Sequence, residues 1–204
     1  MESRHIQEKD FELILETDKR LYPTLSPVTR EVIRGWYAKN PEFGMIFENK
    51  GKVVGSSIVI PLNKNGWEKL IKGELKESEI NSEVIFDNLR DKEIGLHIYH
   101  IEKFDKNIIE FYRMVLKELG SLINNLRKTN KNLKICGISG LCVTLEGIAL
   151  FENKFKCKER EFVLDEHILI KDGRRIVADS KSEANDLEKR GYNYLNRCKM
   201  LVVY

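Results

Sequence analysis

The chain has 204 residues, 42% hydrophobic and 33% charged, which is enough for one packed domain under a charged surface and excludes a disordered chain. Its 35 basic and 32 acidic residues leave a net charge of only +3, too small an excess to argue for nucleic acid as a partner. No apolar run approaches the roughly 20 residues that span a bilayer, MESRHIQEKDFELI lacks an apolar signal core, and the four cysteines form no CxxC pair, so the reading is a cytoplasmic protein without membrane contact or a zinc site.

In chain order, Phe11 to Leu25 carries apolar residues without a clean period. Ser26 as N-cap and Pro27 at the first helical position predict a helix with Val28, Val32, Ile33 and Trp36 on one face, stopping at Asn40-Pro41. GMIFENKGKVVGSSIVIPL reads as two strands around a tight turn at Asn49-Lys50-Gly51, with Pro61 ending the second. Residues 63–93, with eight acidic and six basic side chains, are expected to form a helical insertion too short to own a core. Trp67, Leu70 and Ile71 mark one short helix there, and Ile80, Val84 and Ile85 a second.

GLHIYHIEKF (95–104) reads as a strand, and Ile108, Tyr112, Val115, Leu116, Leu119, Ile123 and Leu126 set out a long helix. LKICGISGLCVT is another strand, whose GISG glycines suit close packing better than a phosphate loop. Thr144 can cap a short helix, and Phe162 to Ile170 resumes strand character before a turn at Lys171-Asp172-Gly173-Arg174. Ser180-Lys181-Ser182-Glu183 is a capping box, and Gly191 a helix stop. Residues 171–204 are taken as a C-terminal extension ending on a strand at Lys199–Tyr204, whose exposed edge would allow a homodimer by sheet pairing. The expected class is α/β: one domain (1–204), a mixed sheet with helices packed across it.

This order, with Thr144-Leu145-Glu146-Gly147-Ile148-Ala149-Leu150-Phe151 after the strand that follows the long helix, resembles the GNAT superfamily of N-acetyltransferases over roughly residues 8 to 170. Family members read N-x-x-A-x-x-L-Y at this point; the chain keeps the leucine and an aromatic ring. The resemblance implies a parallel strand pair that splays apart, with the pantetheine arm of acetyl-CoA, the donor substrate, in the gap. It implies a pyrophosphate on backbone amides opening the long helix, where the helix dipole favours negative charge.

Carried onto this sequence, the donor would touch Ile101, Lys103, Lys106, Asn107, Ile108, Ile109, Thr144 and Phe151. The family's glycine-rich loop corresponds to Glu102–Glu110, which has no glycine, and Phe151 stands where a tyrosine often protonates the departing thiolate. Asp105 or Asn107 would cap the helix by itself. His100 and Glu102 share a strand face and are the candidate bases for the amine's proton. His97 and His100, three apart on a strand, are expected on opposite faces and so cannot share a metal. Trp67 would either line the acceptor site or pack the insertion onto the body, and Tyr112 belongs to the core. The reading is an N-acetyltransferase acting on a small-molecule or peptide amine; a non-catalytic GNAT-fold binding protein stays open as the alternative.

Overall fold

The computed structural model describes residues 1–160 and 165–204. The strand expectation at 162–164 lies outside them. The strands are β1 (Glu2–His5), β2 (Gly44–Asn49), β3 (Lys52–Asn63), β4 (Glu93–Lys103), β5 (Lys134–Cys142), β6 (Lys158–Glu159), β7 (His167–Lys171), β8 (Arg174–Ala178), β9 (Asn193–Arg197) and β10 (Lys199–Val203). The helices are α1 (Phe11–Leu21), α2 (Arg30–Lys39), α3 (Lys64–Ile71), α4 (Phe111–Thr129), α5 (Leu145–Leu150) and α6 (Lys181–Lys189).

Among the described residues a seven-stranded sheet runs β1-β2-β3-β4-β5-β10-β6, and a three-stranded sheet runs β8-β7-β9. The β2–β3 hairpin is antiparallel as expected, and Lys50 and Gly51 turn it with positive φ of 51° and 75°. This pair of left-handed residues matches the twist of the flanking strands. β4 and β5 are parallel neighbours, joined by the crossover helix α4. One face of the sheet packs on α1, α2 and α3 through Ile14, Ile33, Trp36, Ile46, Ile58, Ile60 and Trp67. The other packs on α4 and α5 through Ile94, Leu96, Ile98, Leu119, Ile148 and Phe151.

Several expectations need correction. Helix α2 starts three residues late, because Thr29, not Ser26, caps it by accepting the Val32 N–H. Val28 and Ile33 then lie before the cap and one turn inside, both buried in the same cluster, which is a hydrophobic staple. Pro61 does not end its strand: β3 runs on to Asn63, since β2 stops pairing at Ile58 and the missing N–H faces no partner strand. In the insertion α3 forms, capped by the Asn63 side chain, but the second stretch makes only a turn at Glu77–Glu79, with Ile80, Ile85 and Phe86 buried in irregular chain. Neither Asp105 nor Asn107 caps α4, whose N-cap residue is Glu110.

The chain's last strand is interior. β10 has β5 on one side and, at Leu201 and Val202, β6 on the other, so among the described residues it is not the outermost strand of its sheet. The small sheet and α6 lie between β6 and β10 in sequence and pack near the end of α1, where Arg175 donates to the Leu21 carbonyl. Ser180 caps α6 and Gly191 follows it at φ 86°. No helix among the described residues is long and apolar enough to cross a membrane.

Candidate active site

The site begins where two parallel strands part. β4 and β5 pair from Glu93↔Lys134 to His97↔Ser139 and then stop, although β4 runs on to Lys103 and β5 to Cys142. Each keeps its other neighbour: β4 stays on β3 as far as Gly55↔Lys103, and β5 stays on β10 as far as Cys142↔Lys199. Residues 98–103 therefore show no β5 partner on one side. Backbone groups left this way need another strand, water or a ligand.

Small residues shape the closed end of the splay. Gly95 and Gly137 face each other across the ladder, and both lie under the buried Trp67 indole. A Cβ on Gly95 would fall 2.0 Å from Trp67 Cγ. Trp67 thus packs the insertion onto the body. Past the last pair, Gly140 is covered by the ring of Phe151, and a Cβ there would come within 2.4 Å of it. Thr144 caps α5 by accepting the Gly147 N–H at 3.1 Å, which brings Phe151 to the gap.

Four candidates lie in the stretch joining β4 to α4. The Asn107 N–H donates to Asp105 Oδ1 (3.0 Å) and the Ile108 N–H to the Asp105 carbonyl (3.2 Å). Two of the amides expected for a pyrophosphate are therefore already engaged, one of them by a carboxylate standing where an anion would. Lys103 Nζ donates to the carbonyls of Lys106 and Ile108, and Ile109 is exposed. Ile101 points to the α4 face. There, with Ile98, Ser57, Leu119 and Leu122, it lines a 430 Å³ cavity.

A bulge on β4 arranges the opposite face. Ile58 pairs His100 while Val59 pairs Ile98, so Tyr99 is left over and the alternation shifts by one. His97, Tyr99, His100 and Glu102 then all face α1 and α2. The expectation that His97 and His100 point to opposite sides fails for this reason. No metal-binding cluster of His, Cys, Asp and Glu occurs among the described residues. Burial pushes His100 down to about 4, so its ring is neutral near pH 7. Burial raises Glu102, partly opposed by Arg20 and Arg175.

Sequence reading missed the polar groups on this same face. His97 Nε2 lies 2.7 Å from Glu77 Oε1 and its Nδ1 lies 3.0 Å from Ser139 Oγ, which accepts the Trp67 N–H at 2.9 Å. Asp18, on α1, is pushed up to about 7 by burial and by the Glu77 charge. Tyr22 donates to Glu166. Among the described residues Tyr37 Oη, Ser56 Oγ and His100 Nε2 are buried side-chain polar atoms without a partner, and the buried Tyr99 hydroxyl has only the Asp18 carboxylate to meet. All four sit between the sheet and α1–α2. Unpaired buried polar atoms are uncommon, and a cluster of them in one layer points to a polar ligand or ordered water.

No family model matches the sequence, and no curated protein matches it significantly. Solved structures do match by shape. The loading GNATL domain of CurA from Lyngbya majuscula superposes with a TM-score of 0.59 at 12% identity, over 100% of this chain and 96% of its own. Arabidopsis thaliana Naa50, in complex with the bisubstrate analogue CoA-Ac-MVNAL, gives 0.55 at 10% identity over 100% and 97%. Chaetomium thermophilum Naa20, in complex with a bisubstrate analogue, gives 0.55 at 10% over 99% and 85%.

The chain has the GNAT fold.

Within that fold the parting of β4 and β5 is the splay that the sequence resemblance implied. The seven-stranded sheet takes its strands from β1 to β6 and from β10. The small sheet and α6 come between β6 and β10 in the chain.

Proposed function

We propose that the protein is an acyl-CoA-dependent N-acyltransferase that moves an acetyl group from acetyl-CoA to an amine. The observation that carries this reading is the end of β4–β5 pairing at His97↔Ser139, with both strands continuing beyond it. Pantetheine amides can pair with backbone exposed in this way. On this reading Ile101 and Phe151 border the arm. The phosphates meet the first-turn amides of α4 from Phe111 onward, with Lys106 and Ile109 at the rim, because Asp105 holds Asn107 and Ile108 and Lys103 is tied to carbonyls.

The acceptor arrives on the α1–α2 face. Its neutral nitrogen attacks the thioester carbon, the C–N bond forms, and the C–S bond breaks with its electron pair leaving on sulfur. Backbone N–H groups of β4 past the bulge polarise the carbonyl oxygen. Glu102, raised by burial, takes the proton from nitrogen through a water, and the neutral His100 offers a free Nε2 beside it. Phe151 has no proton to give, so the thiolate takes one from water. The free thiols Cys136, Cys142, Cys157 and Cys198 suit the reducing cytoplasm.

One observation favours a non-catalytic GNAT-fold binding protein instead: the Asp105 carboxylate occupies an amide expected for a phosphate. A single assay separates the two. With acetyl-CoA and a panel of aliphatic amines and short peptides, the transferase releases free CoA thiol. Saturation at 100 times the dissociation constant stabilises the fold by about 2.7 kcal/mol, a rise of roughly 5 to 10 °C at this chain length. No thiol release and no thermal shift would contradict the proposal.

A further inference from the structure

The small sheet carries a chain of hydrogen-bonded side chains away from the β4–β5 splay. His167 of β7 is 3% exposed, and both of its ring nitrogens have side-chain partners. Nε2 lies 3.0 Å from Asp165 Oδ1, and Nδ1 lies 3.1 Å from the Tyr194 hydroxyl on β9. A carboxylate can only accept, so in the neutral ring Nε2 carries the proton. Nδ1 is then the acceptor, and the Tyr194 O–H donates to it. Asp165 is fixed in turn, because its other oxygen accepts the Lys181 N–H that opens α6, at 3.2 Å.

A hydroxyl bonded to a base that a third group orients is the arrangement of an activated nucleophile. The hydroxyl's residue is open to solvent: Tyr194 is 37% exposed, whereas the imidazole behind it is buried. Burial raises the Tyr194 phenol, so it stays protonated near pH 7 and attacks only as the imidazole takes its proton. Lys181 Nζ lies 4.5 Å from the centre of the Tyr194 ring, where its charge favours the negative charge that develops on the phenol oxygen. Among the described residues the other charges acting on this group are Arg197 of β9 and Glu188 of α6, and Arg197 pairs with Glu159. A single ammonium is too little charge to hold a phosphoryl dianion, which takes clustered arginines. The group therefore suits an uncharged electrophile with a trigonal carbon.

We propose that Asp165, His167 and Tyr194 form an acylation site, in which the Tyr194 oxygen takes the acyl group of small activated esters. The oxygen attacks the carbonyl carbon while its proton passes to His167 Nδ1. The bond from that carbon to the leaving oxygen breaks with its electron pair, and the imidazolium gives the proton to the leaving group. The products are an aryl ester on Tyr194 and a free alcohol or phenol. Tyr194 is the nucleophile and His167 the base; Asp165 is a positioning residue that fixes the ring's tautomer and orientation. Because the site lies on the small sheet, it stands independently of the acyltransferase reading.

The test is reaction of the full chain with p-nitrophenyl acetate, with acetylated residues mapped by mass spectrometry over time and pH. Lysines react as well, but hydroxylamine strips an acetyl group from a phenol and leaves an amide intact. We expect Tyr194 to acetylate roughly a hundred-fold faster than the more exposed Tyr204, the lower end of what a positioned base contributes. His167→Gln should bring Tyr194 down to the rate of Tyr204. Asp165→Asn should slow acetylation at Tyr194 and move its pH profile to lower pH, since the ring loses the carboxylate that favours its charged form. A purely structural Asp165 would change the fraction of protein that reacts and leave the profile in place, which removes it from the site. The comparison of Tyr194 with Tyr204 needs no variant and decides the matter even where His167→Gln fails to fold. Equal rates at the two tyrosines, or a folded His167→Gln chain that acetylates Tyr194 at the full rate, overturns the proposal.

Discussion

Replacing Ser139 by alanine removes one hydroxyl and strands two buried groups. The Trp67 N–H donates to that oxygen at 2.9 Å and His97 Nδ1 meets it at 3.0 Å, while Trp67 is 1% exposed and His97 fully buried. Leaving a buried polar group unsatisfied costs about 1–3 kcal/mol, so two amount to roughly 2–6 kcal/mol. For a chain of this length that is a fall in Tm of roughly 5 to 20 °C. Chemical denaturation of wild type and Ser139→Ala measures it. The cycle with Trp67→Phe isolates the cause: without the indole N–H, Ser139→Ala strands only His97, and its cost should shrink by about 1–3 kcal/mol. A single-variant loss under about 1 kcal/mol, or strict additivity in the cycle, would refute the idea that Ser139 is the joint of this chain.

Gly95→Ala drives a methyl into Trp67, which has no room to move, and should lower stability by about 3 kcal/mol or more in urea unfolding. Gly120→Ala, at a helical site with nothing within 4 Å, should instead raise it by about 0.5–1 kcal/mol. Asp18 has its folded pKa raised to about 7, above its value in the unfolded chain, so the folded state favours the protonated form. Its ionisation therefore subtracts stability progressively between about pH 4 and pH 7, by at most about 4 kcal/mol. Asp18→Asn should outlast wild type at pH 8 and match it near pH 4, as melts across pH will show. Asp105→Ala frees the Asn107 amide and removes a negative charge next to α4, so CoA should bind about five-fold tighter in calorimetry, an effect of ~1 kcal/mol.

The local signals that were legible are those a short stretch decides alone. Lys50-Gly51 and Asp172-Gly173 turn their hairpins because each supplies two left-handed residues, and Ser180 caps its helix within one turn. The parallel β4–β5 pair followed from the long helix between them. What escaped depends on partners far along the chain. β1 is a polar edge strand that pairs with β2 and has no pattern of its own. Helix α1 buries Phe11, Ile14 and Thr17 while Leu13 is exposed, which blurs its period. The strand at Lys199–Val203 was visible, but not its insertion between β5 and β6.

The site escaped for the same reason. A one-residue bulge at Tyr99 cannot be read from GLHIYHIEKF, yet it turns His97, Tyr99, His100 and Glu102 to a common face. Asp18, Glu77 and Tyr99 come from three elements, and nothing in their sequence neighbourhoods marks them as neighbours. The absence of glycine from Glu102–Glu110, by contrast, was legible. There the Asp105 side chain accepts the Asn107 N–H, a bond that a glycine loop could not make.

The claim that the splay between β4 and β5 receives the donor is tested most directly by amide hydrogen exchange with and without acetyl-CoA. The account predicts slowed exchange concentrated at residues 98–103 and 140–144, where backbone groups past His97↔Ser139 gain partners from the pantetheine amides. No slowing there, or slowing confined to the cavity between α4 and β1–β3, would contradict it.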